Sequence, residues 1–196
     1  TALTSRALWS SKCPTMFYLI GVLMGTTNAG LFTSTTDEWP TPQDLFDTLD
    51  AEFGFTLDPC ADESSAKCDT FYTKDDDGLS QPWPGVVFMN PPYGRQIGEW
   101  VAKAWRESLS GSTVVCLIPA RTDTRYWHDY VMHSAEVRFI RQRLHFDNAR
   151  HRELKAAGKA TAHNAPFPSV VVVFRPGHEG YPAVSTIDRT GRTSPD

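Results

Sequence analysis

The chain reads as an α/β protein, a doubly wound sheet of about six strands with helices between them. Three observations carry this reading. Apolar runs too short for helices, at residues 86–89, 114–118 and 169–174, alternate with segments whose apolar residues recur at helical spacing. The run at 114–118, Val-Val-Cys-Leu-Ile, is near-continuous, which is the mark of a strand buried on both faces of a parallel sheet. A length of 196 residues with 40% hydrophobic content suffices for one well-packed domain rather than two.

Residues 1–35 look unlike the remainder and are read as an N-terminal extension, expected to be poorly ordered, that the fold does not need. Residues 16–24 are apolar and follow Arg6 and Lys12. They are too short to span a bilayer, and Thr-Thr-Asn-Ala-Gly follows them in place of a small-x-small cleavage site, so a secretory signal is the minor reading. Met24 makes an ordinary start for a fold beginning near Asp37.

Leu45, Phe46, Leu49 and Phe53 predict a helix over 42–53, with Thr41 as N-cap, Pro42 at the first helical position and Gly54 ending it. Short strands are expected at 55–57 and 70–72, the second before the acidic run Asp75-Asp76-Asp77. After the run at 86–89, Trp100, Val101, Ala104 and Trp105 share one face of a helix over 97–109, which Gly111 closes. Thr122 or Asp123 is placed to cap a further helix to about His133. Strands at 137–140 and 169–174 complete the set, and the Gly/Pro-rich tail offers at most a short edge strand at 183–187.

Charge is unevenly spread. Between Arg138 and His163 seven basic residues face only Asp147 and Glu153, a local net of +5 in a chain of net −4. A basic block on an acidic body suggests a phosphate-facing patch, although a solvated charged loop is the commoner explanation of any one such run. Cys13, Cys60, Cys68 and Cys116 lack the paired spacings of a zinc site, and the six histidines are scattered, so no metal is expected. A reduced, cytoplasmic protein is the simplest inference. No dinucleotide fingerprint and no phosphate-binding Gly-rich loop with Lys is present, which removes support from nicotinamide and nucleotide-hydrolysis chemistry.

The chemistry concentrates in Asn90-Pro91-Pro92-Tyr93, where the 86–89 strand ends. An amino group on a base delocalises its lone pair and is a poor nucleophile until it is held and polarised. The side-chain oxygen of Asn90 and the backbone carbonyl of a following proline are two acceptors for its two N–H bonds. Pro91 and Pro92 fix the direction of that carbonyl, and Tyr93 offers a flat face on which a planar substrate could stack. The plainer reading of the same residues is a strand-terminating turn.

With Asp37-Glu38-Trp39-Pro40-Thr41-Pro42, Leu57-Asp58-Pro59-Cys60-Ala61 and Asp77-Gly78-Leu79 ahead of it, the motif resembles that of the phage-type Dam-like DNA N6-adenine methyltransferases, over about residues 36–176. The resemblance implies a Rossmann-like methyltransferase fold with a mostly parallel sheet and helices on both faces. It implies S-adenosylmethionine as cofactor, with no metal, and double-stranded DNA as substrate. Cofactor contacts would fall to Trp39, Thr41, Pro42, Asp58, Pro59, Cys60, Ala61 and Asp77, with Asp77 accepting from the cofactor's adenine amino group. Asn90, Pro91, Pro92 and Tyr93 would be catalytic. Many relatives have a Gly-rich turn after Asp-Pro, whereas this chain continues Cys60-Ala61-Asp62-Glu63, which leaves the ribose contact open between Asp62 and Glu63.

A base inside a duplex must be flipped out to be methylated, which calls for phosphate contacts. Arg121 and Arg125, with Tyr126 and Trp127, and the basic insertion at 141–165, through Arg141, Arg143, Arg150, Arg152 and Lys155, are the expected DNA-binding groups. For Trp127, core packing is an equal alternative. A monomer, with no membrane association and with residues 177–196 as a tail, is expected in a bacterial host or a cell carrying a prophage. Two other readings stay open. One is a methyltransferase of another planar nitrogen, on an RNA base or a protein glutamine amide, and the other is a non-catalytic DNA-binding relative.

Overall fold

A computed structural model describes residues 39–146 and 165–193. Helix α1 (Gln43–Phe53) buries Leu45, Phe46 and Leu49, and its chain leaves through Gly54, whose φ of 67° suits glycine and whose N–H donates to the Asp50 carbonyl at 2.8 Å. Phe46 meets Phe88 edge to face at 5.1 Å, which seats α1 on the sheet. Pro42 holds the capping position and no side chain caps the helix, so the expected role of Thr41 as N-cap is corrected. Its hydroxyl is engaged elsewhere, as the active site shows.

The sheet runs in the order β1 (Val86–Met89), β2 (Thr113–Pro119), β4 (Ser169–Phe174), β3 (Glu136–Ile140), β5 (Ala183–Ile187). β1 pairs parallel with β2 and β3 parallel with β5, while β4 lies between β2 and β3 antiparallel to both. The sheet is therefore mixed, where the sequence suggested mostly parallel pairing. The connection explains the reversal. Chain leaving β3 re-enters at Ser169, opposite Pro119, so β4 starts at the end where β2 and β3 finish, and a return on one end needs no crossover.

All six residues of β4 are buried, and so are six of the seven in β2. Full burial of each such side chain contributes about 1.5–3 kcal/mol, which makes these two strands the centre of the core. β5 is an exposed edge, matching the expected short strand in the tail. The strands expected at 55–57 and 70–72 are reduced to single bridges, Leu57 with Val87 and Asp58 with Phe71, both parallel. They extend the sheet beyond β1 by two short backbone segments.

Helix α2 (Ile97–Leu109) has the bounds its periodicity predicts, with Glu99 in the first turn and Arg106 in the last, as the helix dipole favours. The helix expected from Thr122 or Asp123 to His133 is instead α3 (Arg125–Asp129), entered from Thr124, followed by a single 3-10 turn at Val131–His133. Tyr126 and Trp127 are its buried residues, so Trp127 is a core residue, stacked at 6.4 Å on Phe139. Among the described residues no helix is long and apolar enough to cross a membrane. Residues 1–35 and most of the basic insertion lie outside the described residues.

Candidate active site

β1 delivers Asn90 to the end of the sheet where β2 finishes and β4 begins. Its Nδ2 donates to the Trp39 carbonyl at 2.6 Å and to the Thr41 hydroxyl at 2.9 Å, so both amide hydrogens are used and the carboxamide cannot rotate freely. Oδ1 is left buried with no partner among the described residues. An unpaired buried acceptor costs about 1–3 kcal/mol, and a ligand that brings a donor recovers it. Of the four further buried polar side-chain atoms without partners among the described residues, Trp39 Nε1, Tyr126 Oη and Ser169 Oγ belong to the same end of the fold, and His178 Nε2 lies apart, after β4. Polar dissatisfaction is concentrated where β1 and β2 end.

Pro91 is buried and Pro92 exposed. Tyr93 donates its hydroxyl to the Leu117 carbonyl at 3.2 Å, and burial pushes its phenol well above the usual range, which keeps it a donor. The ring is 4% exposed. Phe146 and Phe167 approach it edge-on at 6.4 and 5.4 Å, and the same two rings meet Trp39 at 5.2 and 5.3 Å. Tyr93 is thus packed among aromatics and presents no bare face, contrary to the sequence expectation. Phe146 and Phe167 escaped notice in the sequence because nothing local marks them: they flank the basic stretch and reach Tyr93 only through the return from β3 to β4.

On the other side of β1, Asp58 is buried, with Oδ1 accepting from Cys60 N–H and Oδ2 from Lys67 N–H, each at 3.3 Å. Burial raises its carboxyl to about 6, against the lowering effect of those two bonds. Cys60 is partly exposed as a residue, but its thiol is enclosed, and burial pushes it well up with the Asp58 carboxylate adding to the effect. The thiol also lies beside the Asn90 backbone amide, linking the Asp-Pro turn to the Asn-Pro-Pro-Tyr motif. Ala61 N–H donates to the Tyr72 carbonyl at 3.1 Å.

Asp77 is exposed at a φ of 51°, and its backbone carbonyl takes both the N–H and the hydroxyl of Ser80 at 2.8 Å. That turn leaves its carboxylate without a protein donor among the described residues. Gly78 beside it packs on the Pro59 carbonyl so closely that a Cβ would collide with it, and would also stand 3.3 Å from the Trp100 ring. Trp83 Nε1 donates to the Gly78 carbonyl at 2.8 Å and its ring stacks on Trp100 at 5.9 Å. Contacts thus run unbroken from Asp77 through Gly78, Pro59 and Cys60 to Asn90. Asp62 closes its own turn by accepting from Ser64 and Ser65, while Glu63 is exposed.

Of the residues expected at DNA, Arg121 and Arg125 border a cleft of about 430 Å³ beside Gly94 and Arg95, directly after Tyr93. Arg141 and Arg143 are exposed where the chain leaves β3, and Arg150, Arg152 and Lys155 lie outside the described residues. The stretch is closed at its base by Ala165 N–H donating to the Leu144 carbonyl at 2.9 Å. Both of its ends stand at the end of the sheet that carries Asn90. Arg138, counted in the basic block, is occupied by Glu52 and Glu136 and belongs to the flank of the fold.

A family model for DNA N-6-adenine-methyltransferase (Dam) matches residues 28–194. The DNA N-6-adenine-methyltransferase of Haemophilus phage HP1 (strain HP1c1) is 31% identical over 145 residues, covering 71% of this chain and 79% of that protein. The DNA N-6-adenine-methyltransferase of Escherichia phage T1 is 29% identical over 107 residues, covering 53% of this chain and 44% of that protein.

Proposed function

The chain belongs to the DNA N-6-adenine-methyltransferase (Dam) family, an adenine-specific class of methyltransferase, and from that premise we infer that Asn90, Pro91, Pro92 and Tyr93 carry the transfer to adenine N6 in double-stranded DNA. The family implies S-adenosylmethionine, whose sulfonium supplies an activated methyl group, so alignment and polarisation are what the protein must add. The unpartnered Asn90 Oδ1 carries this reading. With Nδ2 held by Trp39 and Thr41, the oxygen is fixed as an acceptor and takes one N–H of the target amino group. The backbone carbonyl of Pro91 takes the other, since proline has no N–H to compete. Together the two acceptors push electron density onto N6 as it attacks, and a site arranged in advance does so without reorganisation.

Trp39, Thr41, Pro42, Asp58, Pro59, Cys60, Ala61 and Asp77 form the cofactor side of this reading. Its support is the unbroken contact path from Asp77 to Asn90 and the carboxylate of Asp77, which meets no donor among the described residues and accepts without donating. The arrangement is taken to be Rossmann-like. The parallel bridges at Leu57 and Asp58 and the common direction of β1, β2, β3 and β5 support that, with β4 alone reversed. Residues 36–176 are the proposed methyltransferase domain, working as a monomer in the bacterial cytoplasm. Arg141, Arg143, Arg150, Arg152 and Lys155 are proposed phosphate contacts beside Arg121 and Arg125.

Purified protein incubated with S-adenosylmethionine and duplex DNA should yield N6-methyladenine, detected by mass spectrometry of the digested nucleosides. Parallel reactions with RNA and with glutamine-containing peptides should yield no methylated product. Methylation of RNA or of a glutamine amide in place of DNA would overturn the reading.

A further inference from the structure

The cleft after Tyr93 has the chemistry of an anion site. Arg95 and Arg121 both border it, both are exposed, and neither forms an ion pair among the described residues. Arg125 also borders it and is shared with Asp129 at 3.0 Å, the carboxylate of the cleft, while Asp123 stands near Tyr126. α2 points its N-terminus at the same space: Gly94, Arg95, Ile97 and Gly98 line it, no side chain caps the helix, and the Gly98 N–H takes no acceptor among the described residues. A separate observation marks the cleft as built to hold something. Tyr126 lines it, is 8% exposed, and its buried hydroxyl finds no hydrogen-bond partner among the described residues, with the Thr124 hydroxyl nearby donating to the Arg121 carbonyl at 2.7 Å.

We propose that this cleft binds one phosphodiester of the target strand, with Arg95 and Arg121 as its charged ligands and the α2 N-terminus and Tyr126 hydroxyl as neutral donors. The inference rests on the DNA methyltransferase reading and deepens it by assigning Arg95, which the sequence did not single out, and a place along the strand. Arg95 lies five positions after Asn90, a reach of at most about 18 Å, so the phosphate belongs to the target nucleotide or a near neighbour. A phosphate held there fixes the strand while the base leaves the stack.

The test uses the full chain and a duplex that the parent protein methylates, so that absence of DNA methylation counts against the function and not against this site. Arg95→Gln and Arg121→Gln should each weaken duplex binding roughly tenfold, the scale of one lost charged hydrogen bond. Each should also reduce the slope of log affinity against log salt by about one. Arg95→Lys should restore most of both, and S-adenosylmethionine affinity should be unchanged in all three. Replacing single phosphates around the target adenine with uncharged methylphosphonates should reveal one or two positions that weaken the parent and leave Arg95→Gln unaffected. An unaltered salt slope in Arg95→Gln, or equal methylphosphonate penalties in parent and variant at every position, would overturn the proposal. A fall in cofactor affinity would overturn it too, since the cleft would then serve the cofactor's carboxylate.

Discussion

Arg138 and Arg175 lie on the flank of the sheet at β3 and β4, whereas Arg95 and Arg121 stand beyond the ends of β1 and β2. Arg138 Nη1 and Nη2 reach the two oxygens of Glu52 at 2.7 and 2.6 Å, its Nε reaches Glu136 at 2.8 Å, and Arg175 holds the other oxygen of Glu136. Both guanidinium groups sit 5.3 Å from the centre of the Phe53 ring. Burial would raise the Glu136 carboxyl, but the hydrogen bonds from Arg175 and Arg138 outweigh it and hold it low. Among the described residues the arginines after Tyr93 have Asp129, which Arg125 takes, and Asp123 near Tyr126, which pairs with none of them. One cluster is internally complete and ties α1 to the sheet. The other leaves positive charge and polar atoms unanswered, beside an Asn90 oxygen in the same condition. Unmet polar groups, rather than charge itself, distinguish a surface that waits for a ligand.

Asn90→Ala strikes the unanswered end hardest. Turnover should fall by a factor on the order of 10² or more, the scale for losing one preorganised polar group, while calorimetry finds cofactor binding largely intact. A rate near the parent's would mean that the free Oδ1 is not the acceptor of the target amine.

Asp58 tests whether the active end tolerates a poorly answered charge at the expense of stability. Its carboxyl rises from 3.8 to about 6, so the folded state holds the proton over a range in which the unfolded chain has lost it. Stability of the ligand-free protein should therefore fall as pH rises from about 4 to about 6, by an amount on the order of 2–3 kcal/mol. Urea midpoints at pH 4 and pH 7 measure this, and Asp58→Asn should flatten that part of the profile. An equally steep profile in the variant would place the titration elsewhere.

Gly78→Ala probes the packing between the Asp77 turn and the Asp-Pro turn. The added Cβ meets backbone that has no side-chain torsion to relieve it, so a loss of about 1–3 kcal/mol is expected, with cofactor affinity falling more than the maximal rate. Unchanged thermal stability and cofactor affinity would show that the two turns separate easily.

Arg138→Gln should have the smallest effect. Glu52 is 44% exposed, and Glu136 keeps Arg175, so solvent screening limits the loss to about 1 kcal/mol. Duplex affinity should not move. A drop in DNA binding as large as that of Arg121→Gln would erase the distinction between the two clusters.

Local pattern alone determined α2, the strands at Val86–Met89 and Ser169–Phe174, the edge strand and the Asn-Pro-Pro-Tyr motif at a strand end, because each depends on residues within one turn or one run. The tertiary structure decided the rest, through partners remote in sequence. Thr41 left its capping role because Asn90, 49 positions on, donates to its hydroxyl. Arg138 left the basic patch because Glu52, 86 positions away, closes on it. Tyr93 lost its open face to Phe146 and Phe167, and β4 runs against its neighbours, because the chain returns from β3 on the end where it left. Periodicity records which residues must be buried, whereas which groups then meet, and which stay unpaired, is set by how the strands are ordered in space.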